Sequence, residues 1–195
     1  MTERREGARL GTRADPPETV FIGLGANVGD RLTALQRALD GLAATPGIAV
    51  TAVSPVYETE AHVLPGTPPQ PDHLNAVARL TTPLAPHAFL DALHAEERRA
   101  GRDPDAPRWS PRPLDLDVIL WGAAAFQTER LTVPHPRLAE RRFVLAPLAD
   151  LACDLRIPGL GRSVSDLLAA TPDRARLARF PDALTVPAAG PRERT

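Results

Sequence analysis

Proline placement limits this chain more than any other feature. Proline locks φ at about −65° and has no amide hydrogen, so helix interiors and central strands accept it poorly. More than half of the 22 prolines fall in four stretches: the first 17 residues, Val63–Pro71, Pro104–Pro113 and the C-terminal tail. Regular structure must therefore lie between them. Met1–Pro17 and 182–195 are polar, proline-containing and without an apolar period, so both read as poorly ordered ends. That leaves 18–181 as a single domain, which suits a chain of 195 residues.

Between the proline clusters the pattern alternates strand and helix. Thr19–Leu24 reads as a strand. A helix follows with Leu32, Leu35, Leu39 and Leu42 at three- and four-residue spacing, opened by Asp30 and closed by Pro46-Gly47. Ile48–Tyr57 is rich in β-branched residues and reads as a second strand, and His73–Thr81 as a third. Pro83–Ala100 is a second helix with Phe89, Leu90 and Leu93 on its apolar side. Glu97 falls on or beside that side, where a carboxylate needs a partner. Asp115–Trp121 is the fourth strand, and Ser163–Ala170 a last helix begun by a capping-box pattern, Ser163-x-x-Asp166. The order β-α-β-β-α-β predicts an α+β, ferredoxin-like core: an antiparallel sheet with helices on one face and the chemistry on the open face.

Composition removes several functions. All 23 basic residues are arginine, so a phosphate-loop lysine and a Schiff-base lysine are both excluded. The single Cys153 can form neither an internal disulfide nor a two-cysteine metal site, and reads as a small buried residue. A formal net charge of −1 gives no field to recruit nucleic acid or an anionic membrane. With no signal peptide and no membrane-length apolar run, the expected location is the cytoplasm. Gly23–Gly29 superficially resembles a dinucleotide fingerprint, but its spacing is GxGxxxG and no acid closes the next strand. A tight structural turn is the expected reading.

The chemistry concentrates in Arg108-Trp109-Ser110-Pro111-Arg112-Pro113-Leu114-Asp115-Leu116-Asp117. Side chains alternate along a strand, so Asp115 and Asp117 share one face while Leu116, Val118 and Leu120 take the other. Two carboxylates about 6 Å apart repel by roughly 3 kcal/mol at an effective dielectric near 20. A divalent cation between them answers that repulsion and suits phosphoryl transfer. So does a salt-bridge cluster with Arg108 or Arg112. Arg102, Arg130, His135, Arg137, Arg141 and Arg142 flank the strand, and guanidinium groups grip phosphate oxygens in pairs.

These segments, with Ile22–Asn27, Tyr57–Thr59, Gln70–Ala76, Gly101-Arg102 and Leu131–Pro136, resemble the 6-hydroxymethyl-7,8-dihydropterin pyrophosphokinases of folate biosynthesis from about Val20 to Leu168. The resemblance implies transfer of pyrophosphate from ATP to the pterin hydroxymethyl group with release of AMP. It implies Asp115 and Asp117 as ligands of two Mg²⁺ ions, and Arg102 and Arg112 as catalytic cations. ATP contacts would include Glu97, Arg108, Arg130, Thr132, His135 and Arg141. Thr59, Ala61, His73, Asn75, Trp109 and Phe143 would hold the pterin. A monomer with small-molecule substrates is expected. The chain departs from the family at Pro104, where a second arginine is common, at Ser110, and at His73, where tyrosine or phenylalanine is usual. The Ala61–Pro69 loop is also longer than expected. The acids and arginines alone equally suit another metal-dependent phosphoryl-transfer or phosphodiester enzyme on this fold, or a relative that only binds ATP. An RNA-binding module of this shape would stack bases on sheet aromatics, yet aromatics total 4%.

Overall fold

In the computed structural model, residues 16–61, 70–103, 105–107 and 110–188 are described. Strand β1 (Glu18–Ala26) gives way to helix α1 (Arg31–Ala44) at Asp30, whose side chain accepts from the Thr33 amide at 3.1 Å. The cap satisfies one of the helix's orphan donors. Leu35, Leu39 and Leu42 are fully buried on the inner face of α1.

The single strand expected over Ile48–Tyr57 is two, β2 (Ala49–Val53) and β3 (Tyr57–Thr59). Pro55 cannot donate to a ladder, and the chain breaks there. Ser54 covers the gap: its amide donates to the Val77 carbonyl and its hydroxyl accepts from the Val77 amide, each at 2.9 Å. Strand β4 (His73–Thr82), helix α2 (Pro86–Arg99) and strand β5 (Asp115–Trp121) follow as expected to within a few residues.

The sheet is antiparallel throughout, in the order β5-β1-β4-β3, with β2 also pairing β4. Its first face packs Ile22, Leu24, Leu74, Ala76 and Leu80 against α1 and α2. The second face is not open, contrary to expectation. Helices α3 (Arg142–Ala152) and α4 (Val164–Ala170) cover part of it, burying Phe21, Val77 and Ile119 beneath Leu145, Leu148 and Leu167. Helix α3 contains Pro147, which argues against a helix in the sequence alone. Register explains a second difference. Phe21 pairs with Leu120 but Ile22 with Val118, so Ile119 is an extra residue, a β-bulge. Past it Leu120 joins Ile119 in the second core instead of lying with Leu116 and Val118.

After β5 come two short paired strands, β6 (Phe126–Gln127) and β7 (Thr132–Val133), and a 3-10 turn at Leu138–Glu140. Ser163 caps α4 in the expected capping box with Asp166. The chain then returns to the sheet as β8 (Leu177–Arg179), antiparallel to β3. The tail is held further on. Leu184 packs on the first core, and the Thr185 amide donates to Gln36 at 2.9 Å. The expected loss of order from 182 thus does not apply to 182–188; 1–15 and 189–195 lie outside the described residues. Cys153, expected to be buried, is exposed at the α3 C-cap, beyond the last apolar turn.

Tyr57 joins three elements. Its hydroxyl donates to Asp150 on α3 at 2.6 Å, and Arg179 on β8 donates to the other Asp150 oxygen at 2.7 Å. Tyr57→Phe is expected to lower the unfolding free energy by about 1 kcal/mol. Urea denaturation would show this as a lower midpoint at unchanged slope, and an unmoved midpoint would mean that the bond contributes nothing net.

Candidate active site

Where α3 leaves the second face uncovered, a cavity of about 450 Å³ opens over the ends of β1, β4 and β5. Asp115 and Asp117 both line it, so the two acids do share a face. They stand opposite Gly25 and Gly23 of β1. Both glycines lie in β1, so the strand expected over Thr19–Leu24 runs on through Gly25 in place of the expected tight turn; of the Gly23–Gly29 segment, only Gly29 takes a positive φ, 68°. A Cβ on Gly25 would come within 3.4 Å of the Asn75 side-chain oxygen and 3.8 Å of Asp115 Cβ. Glycine here keeps the floor clear beneath the carboxylates.

Each acid is paired. Arg102 donates to Asp115 Oδ1 at 2.7 Å, and Arg112 Nη1 lies 3.5 Å from the same oxygen. Arg141 Nη1 is 3.3 Å and His135 Nε2 3.9 Å from Asp117 Oδ2. Burial pushes the Asp115 carboxyl up from its ordinary pKa, the neighbouring Asp117 pushes it further, and Arg112 and Arg102 pull it back. The described arginine contacts use Oδ1 of Asp115 and Oδ2 of Asp117, so a cation could be offered the second oxygen of each. Among the described residues no three acidic, histidine or cysteine side chains gather for a metal. An ion here would complete its shell with water or phosphate oxygens, as Mg²⁺ does.

Buried polar groups set these side chains in place. Glu97 is 4% exposed on α2 and does not line the cavity. Its Oε1 accepts from the Leu116 amide at 2.8 Å and pairs with Arg102. It thus supplies the partner that a carboxylate on that helix face requires, and it anchors the arginine that reaches Asp115. Burial raises its pKa, against the bonds from Leu116 and Arg102. Asn27, 1% exposed, accepts from the Arg112 amide at 2.8 Å and donates to Gln70 at 3.2 Å. The bulge at Ile119 serves the site as well, because its carbonyl accepts from the His135 amide at 2.9 Å. The Arg137 amide donates to His135 Nδ1 at 3.1 Å, which leaves the proton of a neutral imidazole on Nε2, the nitrogen facing Asp117. Burial lowers the His135 pKa, with Asp117 opposing.

The other end of the cavity is lined by groups of mixed polarity. Asn75 donates to Thr59 Oγ1 at 2.7 Å, and both line the wall with Ala61, His73 and Phe143. Arg141 lies 5.6 Å over the Phe143 ring. His73 is pushed down to about 4, first by burial and then by Arg112 and Arg31, with Asp72 opposing. Ser110 also lines the cavity.

The remaining sequence candidates separate. Arg102 and His135 stand behind the two acids without lining the cavity. Arg130 sits at the surface paired with Asp91, and Thr132 lies in β7. Arg108, Trp109, Pro104 and the 62–69 loop lie outside the described residues. Arg137, named with the flanking arginines, and Gln70 of the Gln70–Ala76 segment line the cavity, and the structure adds a wall from the C-terminal segment, namely Asp173, Arg176 and Leu177. Nothing local marks that wall, since Asp173 after Pro172 reads as an ordinary turn.

Residues 21–153 match the model of the family described as 7,8-dihydro-6-hydroxymethylpterin-pyrophosphokinase (HPPK). A 2-amino-4-hydroxy-6-hydroxymethyldihydropteridine pyrophosphokinase from Pseudomonas aeruginosa is 45% identical over 155 residues, covering 80% of this chain and 93% of that protein. The folate synthesis bifunctional protein of Arabidopsis thaliana is 45% identical over 135 residues, 69% of this chain and 27% of that one. A Plasmodium falciparum HPPK-DHPS crystal structure superposes at a TM-score of 0.60 with 12% identity, covering 78% of this chain and 44% of the other. That likeness concerns the fold alone.

The depressed His73 carries a pH signature. The folded protein keeps this imidazole neutral, whereas the unfolded chain takes up its proton near 6.5. Its contribution is fully present above pH 6.5 and is lost as pH falls from 6.5 towards 4. His73→Phe is expected to flatten that limb of a stability-versus-pH curve measured by urea denaturation; an identical slope in both proteins would contradict the burial of a neutral histidine.

Proposed function

The chain belongs to the 7,8-dihydro-6-hydroxymethylpterin-pyrophosphokinase family, and on that premise we propose that it transfers pyrophosphate from ATP to 6-hydroxymethyl-7,8-dihydropterin, releasing AMP. The observation that carries the reading is the floor of the cavity: two carboxylates on one side of β5, opposite glycines, with arginines on both flanks.

In the reaction the pterin hydroxyl oxygen bonds to the β-phosphorus of ATP. The bond from that phosphorus to the oxygen bridging it to the α-phosphorus breaks, AMP departs with the electron pair, and the hydroxyl proton is released. Asp115 and Asp117 would hold Mg²⁺, two ions by family resemblance, which when bound neutralises phosphate charge and lowers the barrier to in-line attack. Asp117 is the more open acid, its side chain 42% exposed against 28% for Asp115. Arg112 and Arg102 would stabilise negative charge gathering on the transferred group and on AMP, exchanging a carboxylate partner for phosphate oxygens. Arg141 and His135 would do so beside Asp117. Asn75, oriented by Thr59, would read the pterin amide edge, with Phe143 and neutral His73 against the ring faces. Arg108 and Trp109 keep their proposed roles on phosphate and pterin from family resemblance. Glu97 would support this shell by holding Arg102, and Arg130 keeps its proposed nucleotide role from family resemblance. Thr132 remains a proposed nucleotide contact by resemblance alone.

Action as a monomer on small-molecule substrates is part of the same proposal, by family resemblance. No helix among the described residues is long and apolar enough to cross a membrane, in keeping with a cytoplasmic enzyme acting on dissolved substrates.

A coupled assay tests the reading. Release of AMP that requires the pterin and Mg²⁺ is expected, and release of ADP or phosphate instead would favour a different phosphoryl-transfer enzyme on this fold. Asp115→Ala and Asp117→Ala should each lower kcat by about a thousandfold or more with the fold retained by circular dichroism. A near-wild-type rate in either variant at saturating Mg²⁺ would overturn the metal assignment.

A further inference from the structure

Helix α3 starts beside the cavity, yet it lacks a cap of its own. Its N-cap residue is Arg141, which makes no side-chain capping bond. The first amides of a helix have no intrahelical partner, and the helix dipole concentrates positive potential there. This start carries two site residues: Arg141, which reaches Asp117, and Phe143, which lines the cavity.

The missing cap comes from a distant part of the chain. Asp173 Oδ2 accepts from the Arg142 amide at 2.9 Å, while its Oδ1 accepts from the Ala175 amide at 3.0 Å. One carboxylate thus ties the first residue of α3 to the segment between α4 and β8. That segment is itself secured. Thr171 is 1% exposed, and its carbonyl accepts from Arg174 at 2.8 Å. The Arg176 amide donates to Glu60 at 3.0 Å, its guanidinium pairs with Asp72, and Leu177 pairs with Thr59 across β8 and β3. Asp72 and Thr59 adjoin His73 and Asn75 on the opposite wall of the cavity. The C-terminal segment therefore works as a strap, fixed at one end to the wall bearing Thr59 and closed at the other by Asp173 on the wall bearing Phe143. It lies beyond residues 21–153, the span matched by the family model.

We propose that Asp173 is a positioning residue for pterin binding: by capping α3 from the C-terminal strap it sets the distance between Phe143 and the Thr59–Asn75 wall. It acts through Phe143 and needs no contact with substrate. Its negative charge also fills the helix start, a place that would otherwise attract a phosphate, so that anion binding is left to the arginines around Asp115 and Asp117. The kinetic part of this inference rests on the pyrophosphokinase reading.

The test uses full-length Asp173→Ala and Asp173→Asn. Asparagine keeps one oxygen for the Arg142 amide and gives up only the bond from Ala175, whereas alanine removes both. Native-state hydrogen exchange at Arg142 and Phe143 should accelerate by about tenfold in Asp173→Ala, from the known cost of losing a cap, and return to near wild type in Asp173→Asn. In the AMP-release assay Asp173→Ala should raise KM for the pterin by about tenfold, leave KM for ATP within about twofold, and be largely rescued by asparagine. Unchanged exchange in Asp173→Ala, equal rises in both KM values, or an asparagine variant as impaired as alanine would each overturn the proposal. Should wild-type protein release no pterin-dependent AMP, the functional reading fails, and the exchange measurement still decides what Asp173 does.

Discussion

Asp115 and Asp117 repel each other on one side of a strand, and much of the molecule can be read as an arrangement that makes this tolerable without neutralising it for good. A carboxylate pair in a half-buried floor requires counter-charge. Here arginine supplies it from several directions: Arg102 from the end of α2, Arg112 from the loop before β5, and Arg141 from the start of α3. Guanidinium contacts of this kind at partly exposed sites contribute modestly to stability. They are exchangeable, and a site that must accept and release a charged nucleotide needs exchangeable partners.

Holding those arginines falls to groups that do not face the cavity. Glu97 takes up both Arg102 and the Leu116 amide, so the strand bearing the acids and the arginine facing them share one buried anchor. Asn27 does the same for Arg112 through its backbone and reaches Gln70 as well. The β-bulge at Ile119 frees a carbonyl for His135 while returning the rest of β5 to the second core. In each case a hydrogen bond that is costly to leave unmade in a dry environment fixes a side chain that works at the edge of solvent.

Local pattern made much of this legible. The leucine spacing of α1, its Asp30 cap, the strand Asp115–Trp121 and the capping box of Ser163 all appear in the structure because each is decided by residues within one turn or one pleat. The failures share a cause too. A break at Pro55 needed Ser54 to find Val77 in another strand. Helix α3 persists despite Pro147 because its buried side rests on Phe21, Val77 and Ile119, which no window around it contains. Gly25 resembles the start of a turn in sequence, and only its pairing with Asp115 shows that the strand runs on past Leu24.

Helices α1 and α2 with the strands β1, β4 and β5, the shared face of the two acids, the arginine-only chemistry and the family were all determined by sequence, since each depends on composition, on a period of two or 3.6 residues, or on motifs read in line. Tertiary structure alone decided that α3 and α4 close part of the second face, that Glu97 and Asn27 serve as anchors, and that Asp173 and β8 wall the cavity. Those outcomes depend on contacts between residues tens of positions apart, and which partners meet is settled only when the sheet and its two cores pack together.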